Sequence, residues 1–424
     1  MAETLLLTGV LDAQESGNTV EYNGSATQSI KSSSLVNSSY HHLIVGGSGS
    51  KNLTGATTVL GDLTISSTLV GGTNTLTLFG NWTNTGNFTA NTSTVIFNGT
   101  ANQTLTRSTD EVFHNLTLQK SGSTFVMGNN VQVNNILSLN NVYVNTGTYT
   151  LTLGQSTSVV GTLNRIAPAH VIGKFQRWVN ATGTNFNFPV GVSTVYRGVD
   201  LTFSALTAGS LVVEFVNTNP GSITPSPLVD TSIDLFNTYS EGYWKVTNTN
   251  GLASNNYNLQ VTAEAFASLP LTFNTRLIYR PNVSSAWSIS GAHVDNVSTF
   301  VSPLVRRNNV SLIPGEFALA SNSACVQAST SSISGSNKVC INTSSVYNVT
   351  GTAGSTYSWE VIGGTITGGT GSGVTGNPSV RSGVDVTSIT VNWNSTGGAG
   401  SIQVIENNTA SGGCGAGEVK TLSV

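Results

Sequence analysis

The phrase VEYNGSATQSI at residues 20–30 returns as VIFNGTANQTL at residues 95–105. The copies stay parallel beyond it, YHHLIV (40–45) against FHNLTL (113–118) and GDLTIS (61–66) against NILSLN (135–140). A unit this short cannot bury its apolar side chains alone. Repetition therefore points to a solenoid, in which each unit stacks on the next. The stretch VQVNNILSLNNVYVNTGTYTLTLG (131–154) sets brief apolar alternations between Asn, Gly and Thr turns, which suits the rungs of a β-helix. Within the phrase, Tyr22 and Phe97 fall on strands. Asn23-Gly24 and Asn98-Gly99 are expected to supply a turn residue tolerant of positive φ, and Gln28 and Gln103 to hydrogen-bond to a neighbouring rung. The phrase reads as shape rather than chemistry.

Elsewhere, short alternating runs such as LTLF (76–79), LVVEF (211–215) and SITVNW (388–393) are bounded by turn residues, and no long stretch repeats at helical spacing. The chain reads as all-β. Charged residues make up 8% of its 424 positions, against about 25% in an average soluble protein, so hydroxyls and amides must provide most of the polar surface. A net charge of −3 without a basic run lacks the electrostatic footprint of nucleic-acid binding.

Three segments are expected. Residues 1–165 form the β-helix-like repeats. Residues 166–322, richer in aromatics and Arg (KFQRWV, FNFPVG, EGYWKV), suggest a β-sandwich. There Trp178, Trp244 and Trp287 fit a core, while Trp178 and Trp244 are also the candidate glycan contacts. Arg177, Arg197, Arg276 and Arg280 are expected to partner Asp200, Glu214 and Glu241. Residues 323–424 form a third unit, an immunoglobulin-like β-sandwich with Trp359 on an inner strand. A Cys340–Cys414 disulfide would join its beginning to its end. Cys325 is either free or a competitor for Cys340.

No catalytic, metal or cofactor site is expected. His41 and His114 occupy matching places in the two copies, but with His42 they lack further ligands at suitable spacing, and packing or turn capping accounts for them. Glu3, Asp12, Glu15, Glu21, Asp62, Asp110 and Glu111 share no matching positions, and Asp110-Glu111 reads as a solvated turn. The glycine-rich GTGSGVTG (369–376) has no following Lys and no helix, so it is not a phosphate loop. LLLTGVL (5–11) follows Glu3 where a secretion signal would be basic and is far too short to span a bilayer. It reads as a strand, without membrane insertion.

The segment NKVCINTSSVYNV through STYSWEV, GVDVTSITVNW and GCGAGEV resembles the PKD-like immunoglobulin-type modules of large Bacteroidetes surface proteins. The NGSATQSI and NGTANQTL copies are similar to β-helical repeats of the same proteins, and FNFPVG, YRGV and GYWKV resemble the sandwich that follows them. The resemblance implies export through the outer membrane, commonly by the type IX system, and an extracellular or cell-surface location. EVKTLSV at the end does not match the sorting domain of such cargo, so a processed subunit or a piece of a longer protein is expected. Two function classes follow. One is a structural or adhesive protein that self-associates into a filament or joins a surface assembly, with Leu5, Leu6, Leu7, Val10 and Leu11 as the inter-subunit strand. The other is a secreted carbohydrate-binding or carbohydrate-active protein, whose partners would be glycans.

Overall fold

A computed structural model describes residues 11–32, 36–269, 271, 274–294, 303–322, 330–394, 398–408, 415–416 and 419–424. The described residues contain strands and no helix, and the N-terminal part is a β-solenoid of about eight turns. Each turn contributes to three parallel faces. On the first, Leu11–Ala13, Val36–Tyr40, Thr57–Val59, Thr75–Leu78 and Thr94–Phe97 stack in order, followed by the latter parts of Glu111–Gln119 and Val131–Asn140 and by Thr162–Ile166. The second runs through Thr19–Tyr22, His42–Val45, Leu63–Ile65, Trp82–Asn84, Gln103–Arg107, Thr124–Met127 and the starts of Tyr143–Leu153 and His170–Val179. The third comes in two sections. Gln28–Ile30, Lys51–Leu53, Thr68–Val70 and Asn87–Thr89 form one, and segments 111–113, 131–133, 151–153 and 174–177 form the other.

Alternation explains why these residues stack. Strand side chains point alternately to the two faces, and the inward ones form columns in register. One column runs Tyr40, Val59, Leu78, Phe97, Leu118, Leu139, and every member is fully buried. A parallel column on the second face runs Val20, Leu43, Leu63, Trp82, Leu105, Met127. A rung shifted by one residue would turn its whole apolar set outward.

The repeated phrase turns out to be a corner. Its first copy joins the second face to the third, through strands Thr19–Tyr22 and Gln28–Ile30. Its second copy joins the first face to the second, through Thr94–Phe97 and Gln103–Arg107. The copies are thus offset by one face, which a helix of three similar faces permits. In both, the glutamine closes the turn: Gly24 N donates to Gln28 Oε1 at 2.7 Å and Gly99 N to Gln103 Oε1 at 3.0 Å. As expected, Gln103 also reaches the rung before it, donating through Nε2 to Leu78 O at 3.1 Å and to Gly80 O.

A buried lysine from the next turn completes each corner. Lys51 Nζ donates to Gly24 O at 3.0 Å and to Gly49 O. Lys120 Nζ donates to Gly99 O at 3.0 Å, Ala101 O at 3.1 Å and Gln103 Oε1. Burial pulls the Lys120 ammonium down to about 8. The tolerance of positive φ is not used, since neither Gly24 nor Gly99 has one. Glycine is required for close approach instead, since a Cβ at Gly99 would lie 2.3 Å from Phe79 O of the previous turn.

The solenoid runs directly into the central sheets. His170–Val179 pairs in parallel with Tyr143–Leu153 along one edge and antiparallel with Gly209–Val216 along the other. Residue 165, the expected boundary, lies within Thr162–Ile166, a strand of the last turn. Gly209–Val216 continues to Asn237–Thr249, and a second sheet of Asn185–Phe188, Val199–Thr207, Ala253–Thr262, Leu304–Val310 and Ala292–Val294 accompanies it. Aromatic contacts fill the core, including Phe175 with Phe188 at 6.1 Å and Phe215 with Trp244 at 5.3 Å.

Arg177 and Arg280 have partners other than those expected, whereas the charge of Glu241, one of the expected acids, acts on Arg197. Arg280 pairs with Glu316 at 2.7 Å and lies over Trp287, Arg177 donates to Asn187 O, and Asp200 accepts from the amides of Asn185, Asn187 and Gln260.

A second compact unit takes in 222–239, 266–275 and 320–424. Its sandwich-like part sets Ser344–Asn348, Ser388–Trp393 and Gly364–Gly368 in one sheet and Ser372–Val374, Ser379–Val384, Thr356–Ile362 and Ser401–Asn408 in another. Trp359 is fully buried among Tyr347, Tyr357, Val391 and Ile402, and its Nε1 donates to Val386 O at 2.7 Å.

Because Gln103 satisfies both its own turn and the previous rung, Gln103→Ala strands buried backbone groups. The expected cost is about 1–3 kcal/mol, visible as a lower urea midpoint. A midpoint equal to that of the native chain would contradict this role.

Candidate functional site

The structure separates the residues singled out from sequence. Leu5, Leu6, Leu7, Val10, Cys325 and Cys414 lie outside the described residues, whereas Leu11 opens the first strand beside Val36. Cys340 is exposed and unpaired among the described residues. His41 and His42 serve turns: His41 Nδ1 accepts from Gly17 N at 3.3 Å and His42 Nδ1 from Asp62 N at 2.9 Å.

The solvated-turn reading of Asp110-Glu111 holds for only half the pair. Asp110 is exposed, but Glu111 is completely buried at the point where the third face restarts. The inward column Tyr22, Val45, Ile65 on the second face turns polar there, continuing as Asn84 and Arg107. Glu111 answers it. Its carboxylate accepts from Trp82 Nε1 at 2.9 Å and Asn84 Nδ2 at 2.7 Å, and it pairs with Arg107. Phe113 and Phe88 close round the same indole at 5.5 and 5.1 Å. Burial holds the Glu111 carboxyl above its ordinary value of 4.5, against the opposing pull of the Asn84, Arg107 and Trp82 donors. The signal in the sequence was the polar residue at position 84, visible only once the register is known.

The two candidate glycan contacts part company. Trp244 is fully buried, with Nε1 donating to Arg197 O at 2.7 Å, so it belongs to the core. Trp178 is half-buried and lines an open cleft of about 300 Å³ on the solenoid's third face. The outward column Gln132, Thr152, Gln176 forms its floor. Asp110, Asn130, Gln155 and Asn250 also line it.

Hydrogen bonds hold these side chains in place. Asn130 donates to Asp110 at 3.0 Å and accepts from Thr150 N at 3.0 Å. Gln132 Nε2 donates to Asn134 Oδ1 at 2.7 Å, and Gln176 Nε2 to Ser210 Oγ at 2.8 Å. Asn250 reaches the same Ser210 oxygen at 2.8 Å. Such a surface presents amides and hydroxyls around one aromatic ring. Asp110 is its sole formal charge among the described lining residues.

Removing the buried acceptor should unfold the interior at its polar point. Glu111→Ala leaves three donors unpaired and is expected to cost about 3–5 kcal/mol, while Glu111→Gln retains an acceptor and costs less. The native carboxyl titrates above its unfolded value, so its stabilising contribution is present in full at low pH and is lost as pH rises through the folded value. Unfolding midpoints in a pH series should therefore show the native chain losing ground to Glu111→Gln as pH climbs above 4.5. Parallel profiles would refute the linkage.

Comparison of the chain with known protein families, with curated proteins and with solved structures finds no match.

Proposed function

We propose that the chain is a non-enzymatic structural or adhesive protein of the cell surface, acting as a subunit of an extracellular filament or as the stalk of an adhesin. The observation that carries this reading is the first described strand of the solenoid. Leu11–Ala13 pairs with Val36–Tyr40 along one edge and with no other strand among the described residues. An unpaired strand edge is a template for a further strand, and a second copy of the chain can provide one. The outward columns support the same reading. Thr77, Ile96, Thr117, Ser138 and Asn164 follow one another along the first face, a neutral surface dominated by hydroxyls and amides.

In this reading residues 4–11 dock on the neighbouring subunit, and export follows the type IX route implied by the sequence resemblance. Negative-stain electron microscopy of the secreted protein tests it. Filaments repeating at one subunit length are expected, and deletion of residues 1–12 should leave folded monomers with an unchanged circular dichroism spectrum. Filaments that survive the deletion would sink the docking role. Dispersed rod-shaped native particles would instead favour an adhesin stalk or a glycan-binding protein.

A further inference from the structure

We infer that the cleft beside Trp178 binds a neutral saccharide. Its position and chemistry carry the inference, which stands apart from the filament reading, because a chain that never polymerises keeps the same cleft. A sugar ring offers an apolar face of C–H bonds edged by hydroxyls that both donate and accept. A half-exposed indole suits the first. The second needs carboxamides and hydroxyls, which also donate and accept. Gln132 and Gln155 present carboxamides, while Thr152 Oγ1 donates to Gln176 Oε1 at 3.3 Å and Gln176 Nε2 to Ser210 and Thr249, which fixes the column beneath them.

The column is pre-organised rather than loose. Gln132, Gln176, Asn130 and Asn250 are each tied by a hydrogen bond, so little side-chain freedom remains to be lost on binding. The same bonds leave polar ends uncommitted among the described residues, notably Gln132 Oε1 and the Gln155 carboxamide.

Charge narrows the ligand. The described lining contains no Lys or Arg, so nucleic acids and sulfated or acidic polymers find no countercharge. Hydrolysis would require two carboxyl groups flanking the scissile bond. Among the described lining residues Asp110 is the one carboxylate, so the inference is confined to binding. A second amide-rich depression, over Asp200, Gln260 and Arg306, serves as a contrast. There Arg306 brings a charge and donates to Gln260, Asp200 accepts from three amides, and no aromatic ring lines it.

The test is calorimetric titration of the full chain with maltohexaose, cellohexaose, xylohexaose, mannohexaose and N-acetylchitohexaose. At least one should bind saturably at millimolar strength or tighter. Trp178→Ala should weaken that binding by about tenfold or more, equivalent to 1.4 kcal/mol, and Gln132→Ala should weaken it less, while Trp178→Phe retains most of it. Each variant is compared with the native chain by circular dichroism. If Trp178→Ala alters the fold, Trp178→Phe and Gln132→Ala decide. Absence of saturable binding by all five sugars at about 10 mM, or binding indifferent to both Trp178 and Gln132 variants, overturns the proposal.

Discussion

A solenoid core only a few side chains across has one governing requirement: each inward residue must fit the residue directly above and below it. Tyr40, Val59, Leu78, Phe97, Leu118 and Leu139 meet that requirement by apolar contact. Gln28, Lys51, Gln103 and Lys120 meet it differently, by turning buried polar atoms toward backbone groups that bends in the chain leave unpaired. Such groups are costly when unsatisfied. The corners therefore constrain the fold as strongly as the faces, and the repeated phrase records that constraint.

Much of this was legible. Alternation and turn residues disclose an all-β chain, and the recurrence of VEYNGSATQSI discloses stacking. The same pattern could not disclose how many strands make a turn, because the three faces share one residue pattern, and the phrase reappears on a different pair of faces. Glycine misled for a related reason. In a hairpin, Asn-Gly signals positive φ, whereas at Gly99 the preceding turn's backbone forbids a side chain. Arg107 and Glu111 carry a spacing that suggests a helical ion pair. Here a corner, not a helical turn, brings them together inside the solenoid.

The site was legible only in residue type. Trp178 and Trp244 look alike in sequence, each within a run of strand residues. Alternation and pairing put Trp244 beside Phe215 in the core and put Trp178 beside amides of its own and neighbouring strands. The amides themselves were invisible as a group, since Gln132, Thr152 and Gln176 are ordinary polar residues until parallel pairing sets them in one column. In a chain so rich in Asn, Ser and Thr, selectivity has to come from which polar residues the fold aligns.

The strand His170–Val179 has a mechanical consequence. It holds ladder bonds to the solenoid on one edge and to the central sheet on the other, and Trp178 lies on it. Tension delivered at this strand is divided between two ladders of opposite sense, so many bonds resist together in shear where a free edge would peel them singly. Solenoid and central sheet consequently behave there as one continuous material, and the hinge that a flexible linker would have introduced is missing from this junction.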